Sequence, residues 1–151
     1  MPTTPQFGDP DPHLTYRDRP AAFGLALRDG RLALVKVTYP EKPPFFDLPG
    51  GAIDPGEGPR EAMIREFGEE TGLVVTAGGI VTFADQMFKT KGDDPVNNRC
   101  TFLEAMVAGD DPRLKIEQDH ELVWIEPVAA LKMLRHEAHV WAVAAWLRKQ
   151  G

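Results

Sequence analysis

The sequence predicts an α/β fold in which a mixed sheet is packed between helices as an α/β sandwich. Strand-like apolar segments come first, a helix follows, more strands come next, and a helix ends the chain. The length of 151 residues and the 42% content of hydrophobic residues are sufficient for one domain with a substantial core. Together the element order and the composition favour a single α/β domain.

The beginning of the chain differs in composition from the rest. Residues 1–20 are polar and rich in proline, without an apolar period, and we expect them to form a flexible N-terminal arm. Residues 21–28 and 31–38 are apolar and are separated by Asp29-Gly30, a dipeptide typical of a two-residue hairpin turn. We therefore expect one domain at residues 21–151 that opens with a β-hairpin.

A glycine-rich turn and a helix form the most informative stretch of the chain. Pro59 is suited to the first helical turn, and Gly72 is suited to the position after the last turn. On this helix Glu69 and Glu70 follow Glu66 by three and four positions, so the three carboxylates share one face with Cβ atoms about 5–6 Å apart.

Neighbouring carboxylates on one helix face repel one another, at a cost of a few tenths of a kcal/mol per pair. Gly68 in the helix interior costs about 1 kcal/mol relative to alanine, so the helix is locally disfavoured in two ways. A hard divalent cation such as Mg²⁺ would offset the repulsion, because it takes oxygen ligands. A solvated acidic helix face is the alternative interpretation of the same residues.

The remaining elements are read from apolar runs and turn residues. Strands are expected at residues 73–76 and 80–87, joined by Gly78-Gly79, and at residues 99–108 and 121–126. Polar loops are expected at residues 88–98 and 109–119, and helices at residues 127–134 and 136–149.

The turn and helix together resemble the signature of the Nudix (MutT-like) hydrolases, G-x5-E-x7-R-E-U-x-E-E-x-G-U, where U is a bulky apolar residue. Every fixed position is filled, by Gly51, Glu57, Arg65, Glu66, Phe67, Glu69, Glu70, Gly72 and Leu73. The resemblance implies a Nudix-like α/β/α sandwich, with a mixed sheet between helices and the signature helix on one face.

The resemblance also implies a metal site. In this family the equivalents of Glu66, Glu69 and Glu70 bind divalent metal, often with the backbone carbonyl of the first glycine, here Gly51. Glu57 is expected to contribute more weakly or through water. The implied cofactor is Mg²⁺, with Mn²⁺ as a substitute, and the same glutamates are the expected catalytic residues.

Several further residues are candidates for catalysis or substrate binding. Arg65 reaches Glu69 at i+4, and its planar fork is suited to orienting a carboxylate. Glu117 and Glu121 are candidate general bases, because a loop before the last strand is able to approach the metals, although a solvated loop is the alternative. Lys36 is a candidate phosphate contact, with a solvated lysine as the alternative. Phe46 either lines a base-binding cleft or packs in the core.

The implied activity is hydrolysis of a phosphoanhydride bond in a nucleoside diphosphate linked to another group, such as a nucleoside triphosphate or an ADP-sugar. Two alternatives share the fold. A nucleotide or ADP-ribose sensor without turnover has no need for an intact set of glutamates and Arg65. An isoprenoid diphosphate isomerase would pair a cysteine with a glutamate, and Cys100 lies outside the signature.

Composition limits the partners. A formal net charge of −6 argues against a broad surface for polymeric nucleic acid, while a metal is able to bridge an acidic protein to a small nucleotide. No apolar run is long enough to span a membrane and no apolar signal core begins the chain, so we expect a cytoplasmic protein. Exposure of Trp141 or Trp146 would indicate a homodimer.

Overall fold

Eight strands and three α-helices make up residues 3–150, which are the residues that the computed structural model describes. The strands are β1 (Gln6–Phe7), β2 (Arg17–Arg28), β3 (Arg31–Val37), β4 (Phe45–Asp47), β5 (Gly50–Ala52), β6 (Leu73–Lys89), β7 (Pro95–Asp110) and β8 (His120–Ile125). The helices are α1 (Pro59–Thr71), α2 (Pro127–Met133) and α3 (Glu137–Gln150), and a 3₁₀ turn spans Pro112–Leu114. The expectations for residues 1, 2 and 151 lie outside the described residues.

The sheet is mixed, as the sequence predicts. Its main path runs β1-β6-β7-β2-β3-β4, with β5 paired to β2 and β8 paired to β3. The β1–β6 and β2–β7 pairs are parallel, and the other pairs are antiparallel. β2 is therefore the strand that connects the two parts of the sheet.

Helices pack on both faces of this sheet. Met63 and Phe67 of α1 are fully buried against one face, together with Leu73 and Leu103. On the other face the apolar residues of α2 and α3, including Val143 and Trp146, pack against strand residues of a second cluster. The α/β sandwich is confirmed, with α1 alone on one side.

The N-terminal segment differs from the expected arm. Gln6 and Phe7 pair in parallel with Asp85 and Gln86 of β6. β2 begins at Arg17, four residues before the expected strand, because residues 17–20 continue the parallel register with β7. Side chains reinforce the first pairing, since Gln6 and Asn97 exchange two hydrogen bonds of 2.9 and 3.0 Å.

β6 and β7 form a longer hairpin than the apolar pattern indicates. Gly78-Gly79 does not end a strand but lies at an irregularity within β6, where the register with β7 shifts between Ala77 and Ile80. The polar residues expected as a loop at 88–98 are mostly paired, and the turn is confined to residues between Lys89 and Pro95. Polar side chains such as Asn97 and Asn98 are buried there, which is why hydropathy predicts a loop.

None of the helices in residues 3–150 combines the length and the apolar character that a membrane span requires.

Candidate metal and catalytic site

Both ends of α1 are fixed by glycines. At the start, the backbone N–H of Gly58 donates to Glu61 Oε1 at 3.4 Å, directly before Pro59. At the end, Gly72 adopts a left-handed conformation with φ of +77°, and its N–H donates to the carbonyl of Gly68 at 2.8 Å. A glycine is favoured at this end because it adopts positive φ without a steric cost.

Close packing sets the position of α1 on the sheet. A Cβ atom added to Gly24 of β2 would lie 2.9 Å from Met63 Sδ and 3.0 Å from Phe67 Cε2. Only a glycine in β2 lets the buried side of the helix approach this far. The carboxylate face of α1 is thereby held next to the start of β5, which pairs with β2.

The first two residues of β5 contact two of the three helix carboxylates. The N–H of Gly50 donates to Glu70 Oε1 at 3.0 Å. A Cβ atom added to Gly51 would lie 2.9 Å from Glu66 Cδ, so the Gly51 backbone packs directly against the Glu66 carboxylate. The structure therefore brings together Gly51, Glu66 and Glu70, as the sequence predicts.

Burial of these carboxylates disfavours their charged forms. Glu70 is only 6% exposed, and desolvation raises its pKa well above the ordinary range. Desolvation also raises the pKa of Glu66 to about 7, although hydrogen bonding to Arg65 opposes the shift. Negative charge is thus concentrated in a partly dry site, where a bound cation would be strongly favoured.

Arg65 connects most of the acidic residues. Its Nε and Nη2 donate to the two oxygens of Glu57 at 2.7 and 2.9 Å, and Nη1 donates to Glu66 Oε1 at 2.9 Å and Glu69 Oε2 at 3.1 Å. Nη2 also donates to the carbonyl of Ala52 at 3.2 Å. The predicted Arg65–Glu69 contact is present, and Glu57 joins the helix face through Arg65.

The segment before β8 is tied to α1. The backbone N–H groups of Ile116 and Glu117 both donate to the carbonyl of Glu69, at 2.9 and 3.0 Å. Glu117 is close enough to contribute to the raised pKa of Glu66 and of Glu70. Of the two predicted general bases, Glu117 is therefore brought to the carboxylate cluster.

His120 and Asp119 add two polar side chains that the signature does not include. His120 Nε2 lies 3.4 Å from Glu70 Oε2, and Nδ1 lies 2.8 Å from Asp119 Oδ1. One ligand atom each from Glu117, Asp119 and His120 lies within 4.8 Å of the others, a group that is able to hold a metal ion. The loop position of His120 was the only sequence signal for this contact.

The structure does not bring Lys36, Phe46 and Glu121 to the carboxylates. Lys36 pairs with both Phe46 and Glu121 across the sheet, so the three side chains form one row. Lys36 continues the Leu32–Leu34 side, which packs against α2 and α3. Phe46 packs against that core rather than lining a cleft, and period-2 alternation places Glu121 on the face opposite His120.

A cavity of about 250 Å³ begins at Gly50 and Gly51 and extends away from α1. Its walls are mainly aromatic, cationic and amide side chains, and those relevant to ligand binding are Arg19, Tyr39, Phe88, Lys91, Asn98, Arg135 and His136. Sequence reasoning missed all of them, because they come from five separate segments and form no motif.

A mixed sheet between helices, with a carboxylate-bearing helix at a diglycine turn, defines a class of enzymes that act on phosphate anhydrides. The NUDIX domain family model matches residues 18–147, and the chain belongs to the Nudix hydrolase family. It is accordingly an enzyme of the pyrophosphohydrolase class.

Individual relatives agree with this assignment. The chain is 28% identical over 107 residues to the CTP pyrophosphohydrolase of Escherichia coli, covering 70% of this chain and 73% of the relative. It is 62% identical over 52 residues to a putative 8-oxo-dGTP diphosphatase of Bacillus subtilis, a match that covers 34% of this chain and 33% of the relative. The second match thus spans only a third of that relative's length.

Solved structures agree on the fold. A Nudix hydrolase from Nitrosomonas europaea superimposes with a TM-score of 0.73 at 18% identity, covering 88% of this chain and 90% of the other. At this level of identity the likeness concerns the fold alone.

Proposed function

We propose that this protein uses a divalent cation, Mg²⁺ or in its place Mn²⁺, to hydrolyse a phosphoanhydride bond in a nucleoside diphosphate linked to another group. The observation that carries the proposal is the placement of Glu66 and Glu70. Glu70 is buried and Glu66 is half-buried beside Gly50 and Gly51, and within residues 3–150 Arg65 is the one lysine or arginine bonded to the acidic face. A pure sensor would gain nothing from this electrostatic cost.

The donor set is suited to Mg²⁺. Glu66, Glu69 and Glu70 supply carboxylate oxygens and Gly51 supplies a backbone carbonyl, which are hard ligands of the kind Mg²⁺ prefers. Bound there, the cation would neutralise charge on the diphosphate and lower the pKa of the attacking water. Glu57 supports this set indirectly, because it fixes Arg65 with two hydrogen bonds.

Glu117 is the general base in this proposal. Its backbone is anchored to the carbonyl of Glu69, so its side chain starts next to the metal-binding face. There it would accept a proton from the water that attacks phosphorus. Glu121 lies on the other side of the sheet, so of the two candidates only Glu117 is proposed as the general base.

The substrate is a small nucleotide, of the kind that the names of several relatives indicate. One relative is a CTP pyrophosphohydrolase, another a putative 8-oxo-dGTP diphosphatase and a third an ADP-ribose pyrophosphatase. We infer a nucleoside triphosphate or an ADP-sugar. A cytoplasmic location and a homodimer stay predictions; Trp141 is 39% exposed and Trp146 is buried.

A nucleotide panel tests the proposal. Purified protein is incubated with nucleoside triphosphates, ADP-ribose and related diphosphates, with Mg²⁺, with Mn²⁺ or with EDTA, and released phosphate and pyrophosphate are measured. We expect turnover of at least one compound that EDTA abolishes and Mg²⁺ restores. Turnover that persists in EDTA would refute the metal dependence, and binding without any turnover would favour the sensor.

A further inference from the structure

One buried nitrogen beside the cavity lacks a hydrogen-bond partner. Within residues 3–150, His136 Nε2 is the one buried side-chain nitrogen or oxygen atom that bonds to no group of the protein. His136 is 7% exposed and lines the cavity that begins at Gly50 and Gly51. An unsatisfied buried polar atom is costly, and Nε2 is itself covered from solvent, so a ligand in the cavity would supply the missing bond once the group that covers Nε2 moves aside.

Neighbouring groups hold His136 in place. Its backbone carbonyl accepts from the N–H groups of His139 and Val140, at 3.0 and 3.1 Å, at the start of α3. Its ring packs 4.6 Å from the Phe88 ring, measured between centroids. Burial lowers the pKa of His136 to about 3, so the ring is neutral and has one donor and one acceptor nitrogen.

The other polar groups of the cavity are mainly donors. Arg19 Nε donates to Asn98 Oδ1 at 2.7 Å, which orients the guanidinium and leaves its terminal nitrogens for other acceptors. Asp47 is the carboxylate of the cavity wall, and it is paired with Arg135, whose Nη2 lies 2.8 Å from Asp47 Oδ2. A ligand here therefore meets more free donors than acceptors.

We propose that this cavity binds the nucleobase of the substrate and that His136 and Arg19 select a base with a carbonyl oxygen beside a ring nitrogen, as in guanine and cytosine, over adenine. The cavity has a volume of about 250 Å³, whereas sites for drug-sized ligands measure about 300–1,000 Å³. The smaller volume suits a single nucleobase. Arginine recognises such a pair of acceptors, whereas adenine presents an amino group and no carbonyl.

This inference rests on the proposed function, because the base is positioned by the diphosphate that the acidic helix face would hold. Gly50 and Gly51 join the two regions, since they line the cavity and contact Glu70 and Glu66. The aromatic ring of Phe88 offers a stacking surface, with Arg19 Cζ 5.7 Å from its centroid.

The test compares kcat/KM for dGTP, dCTP and dATP in wild type, His136→Phe and Arg19→Met. His13→Phe is the matched control, because His13 is exposed in the N-terminal segment. We expect kcat/KM of wild type and of the control to be about tenfold or more higher for dGTP or dCTP than for dATP. In His136→Phe and Arg19→Met we expect the same ratio of kcat/KM values to fall to about threefold or less.

Binding of GMP, CMP and AMP, measured by calorimetry on the same proteins, separates this inference from the proposed function. Base-selective binding that both variants lose, in a protein without turnover, would support the cavity assignment and refute the hydrolase. Equal selectivity in all four proteins, or a wild type that prefers adenine or no base, would refute the cavity assignment. Arg19 is only half-buried, so Arg19→Met decides the question if His136→Phe does not fold.

Discussion

Arg65 and Glu57 are joined by two parallel hydrogen bonds, with Arg65 Nε 2.7 Å from Glu57 Oε2 and Nη2 2.9 Å from Oε1. These bonds, together with the N–H of Asp54, lower the pKa of Glu57 to about 2. Nη1 of the same guanidinium donates to Glu66 and Glu69. The two bonds to Glu57 therefore fix the orientation of the guanidinium, and with it the positions of the Glu66 and Glu69 carboxylates. Glu57 thus acts on the acidic cluster through Arg65.

Replacing Arg65 by lysine keeps the charge and removes the fork. We expect Arg65→Lys to lower kcat/KM by about 10- to 100-fold, because the single lysine nitrogen lacks the fork that bonds both oxygens of Glu57 while reaching Glu66 and Glu69. The matched control is Arg113→Lys, since Arg113 forms a similar forked pair with Asp111 away from the site. Equal kinetics for the two variants would mean that the geometry of Arg65 is dispensable.

Adding one methyl group at Gly51 should separate activity from stability. The new Cβ atom would lie 2.9 Å from Glu66 Cδ, and the flexible carboxylate is able to move away. We expect Gly51→Ala to fold with a Tm within about 4 °C of wild type and to lose about 100-fold or more in kcat/KM, because displacement of a ligand by about 1 Å is costly.

Gly79→Ala is the control for the Gly51 variant. No atom lies within 4 Å of a Cβ added to Gly79, which is in the irregular part of β6. We expect this protein to retain wild-type activity. If Gly51→Ala is fully active, Glu66 has no required position against the turn.

The two candidate bases make a matched pair for kinetics. We expect Glu117→Gln to lower the single-turnover rate by about 10²- to 10⁴-fold, the usual contribution of a general base, and Glu121→Gln to match wild type. The reason is that Glu117 is anchored to the carbonyl of Glu69, whereas Glu121 faces the other side of the sheet. A slow Glu121 variant beside a fast Glu117 variant would reverse the assignment.

The buried carboxylate of Glu70 should reduce the stability of the metal-free protein. Desolvation raises its pKa, so at neutral pH the folded state carries a free-energy cost for the charge. Glutamine has the same shape and keeps an acceptor for the N–H of Gly50. We expect Glu70→Gln to raise the Tm in EDTA by about 2–4 °C and to abolish turnover.

Metal addition is the control for the Glu70 experiment. Mg²⁺ should raise the Tm of wild type, because binding to the folded state alone stabilises it, and should raise that of Glu70→Gln much less. A lower Tm for Glu70→Gln in EDTA would show that the charge is already compensated within the protein.

We expect burial of His139 to make the folded protein less stable at acidic pH. The ring is buried, the N–H of Leu48 donates to its Nδ1 at 3.1 Å, and burial lowers its pKa to about 4. Because the folded pKa is below the unfolded value of about 6.5, the contribution is complete above pH 6.5 and is lost as the pH falls through about 4. At 1.36 kcal/mol per pKa unit, the lowered pKa of His139 contributes about 3 kcal/mol to the free energy of unfolding.

In metal-free protein Glu66 has the opposite pH dependence to His139. Its raised pKa contributes stability at low pH that is lost as the pH rises from about 4.5 to about 7. The measurement is therefore the difference in free energy of unfolding between wild type and His139→Gln at pH 4 and pH 7. We expect the difference to shrink at pH 4. The same difference in free energy of unfolding at pH 4 and pH 7 would mean that His139 is equally protonated in the folded and unfolded states.

The sequence predicted well what depends on spacing along one element. The sequence predicts helix α1 to begin at Pro59 and to end before Gly72, as observed. The Arg65–Glu69 contact follows from 3.6 residues per turn. Strand ends were less predictable. β7 begins at Pro95 because its polar residues pair with β2 and β6, and such pairing leaves no trace in hydropathy.

The sequence alone determined that one helix would present three glutamates beside a glycine-rich turn, because helical periodicity and glycine conformation are local properties. The tertiary structure decided which distant residues share that site. Cross-strand register placed Lys36, Phe46 and Glu121 on the far side of the sheet, and loop anchoring brought Glu117 and His120 to Glu69 and Glu70. A one-residue change in register reverses the face of a strand residue, and no local pattern encodes it.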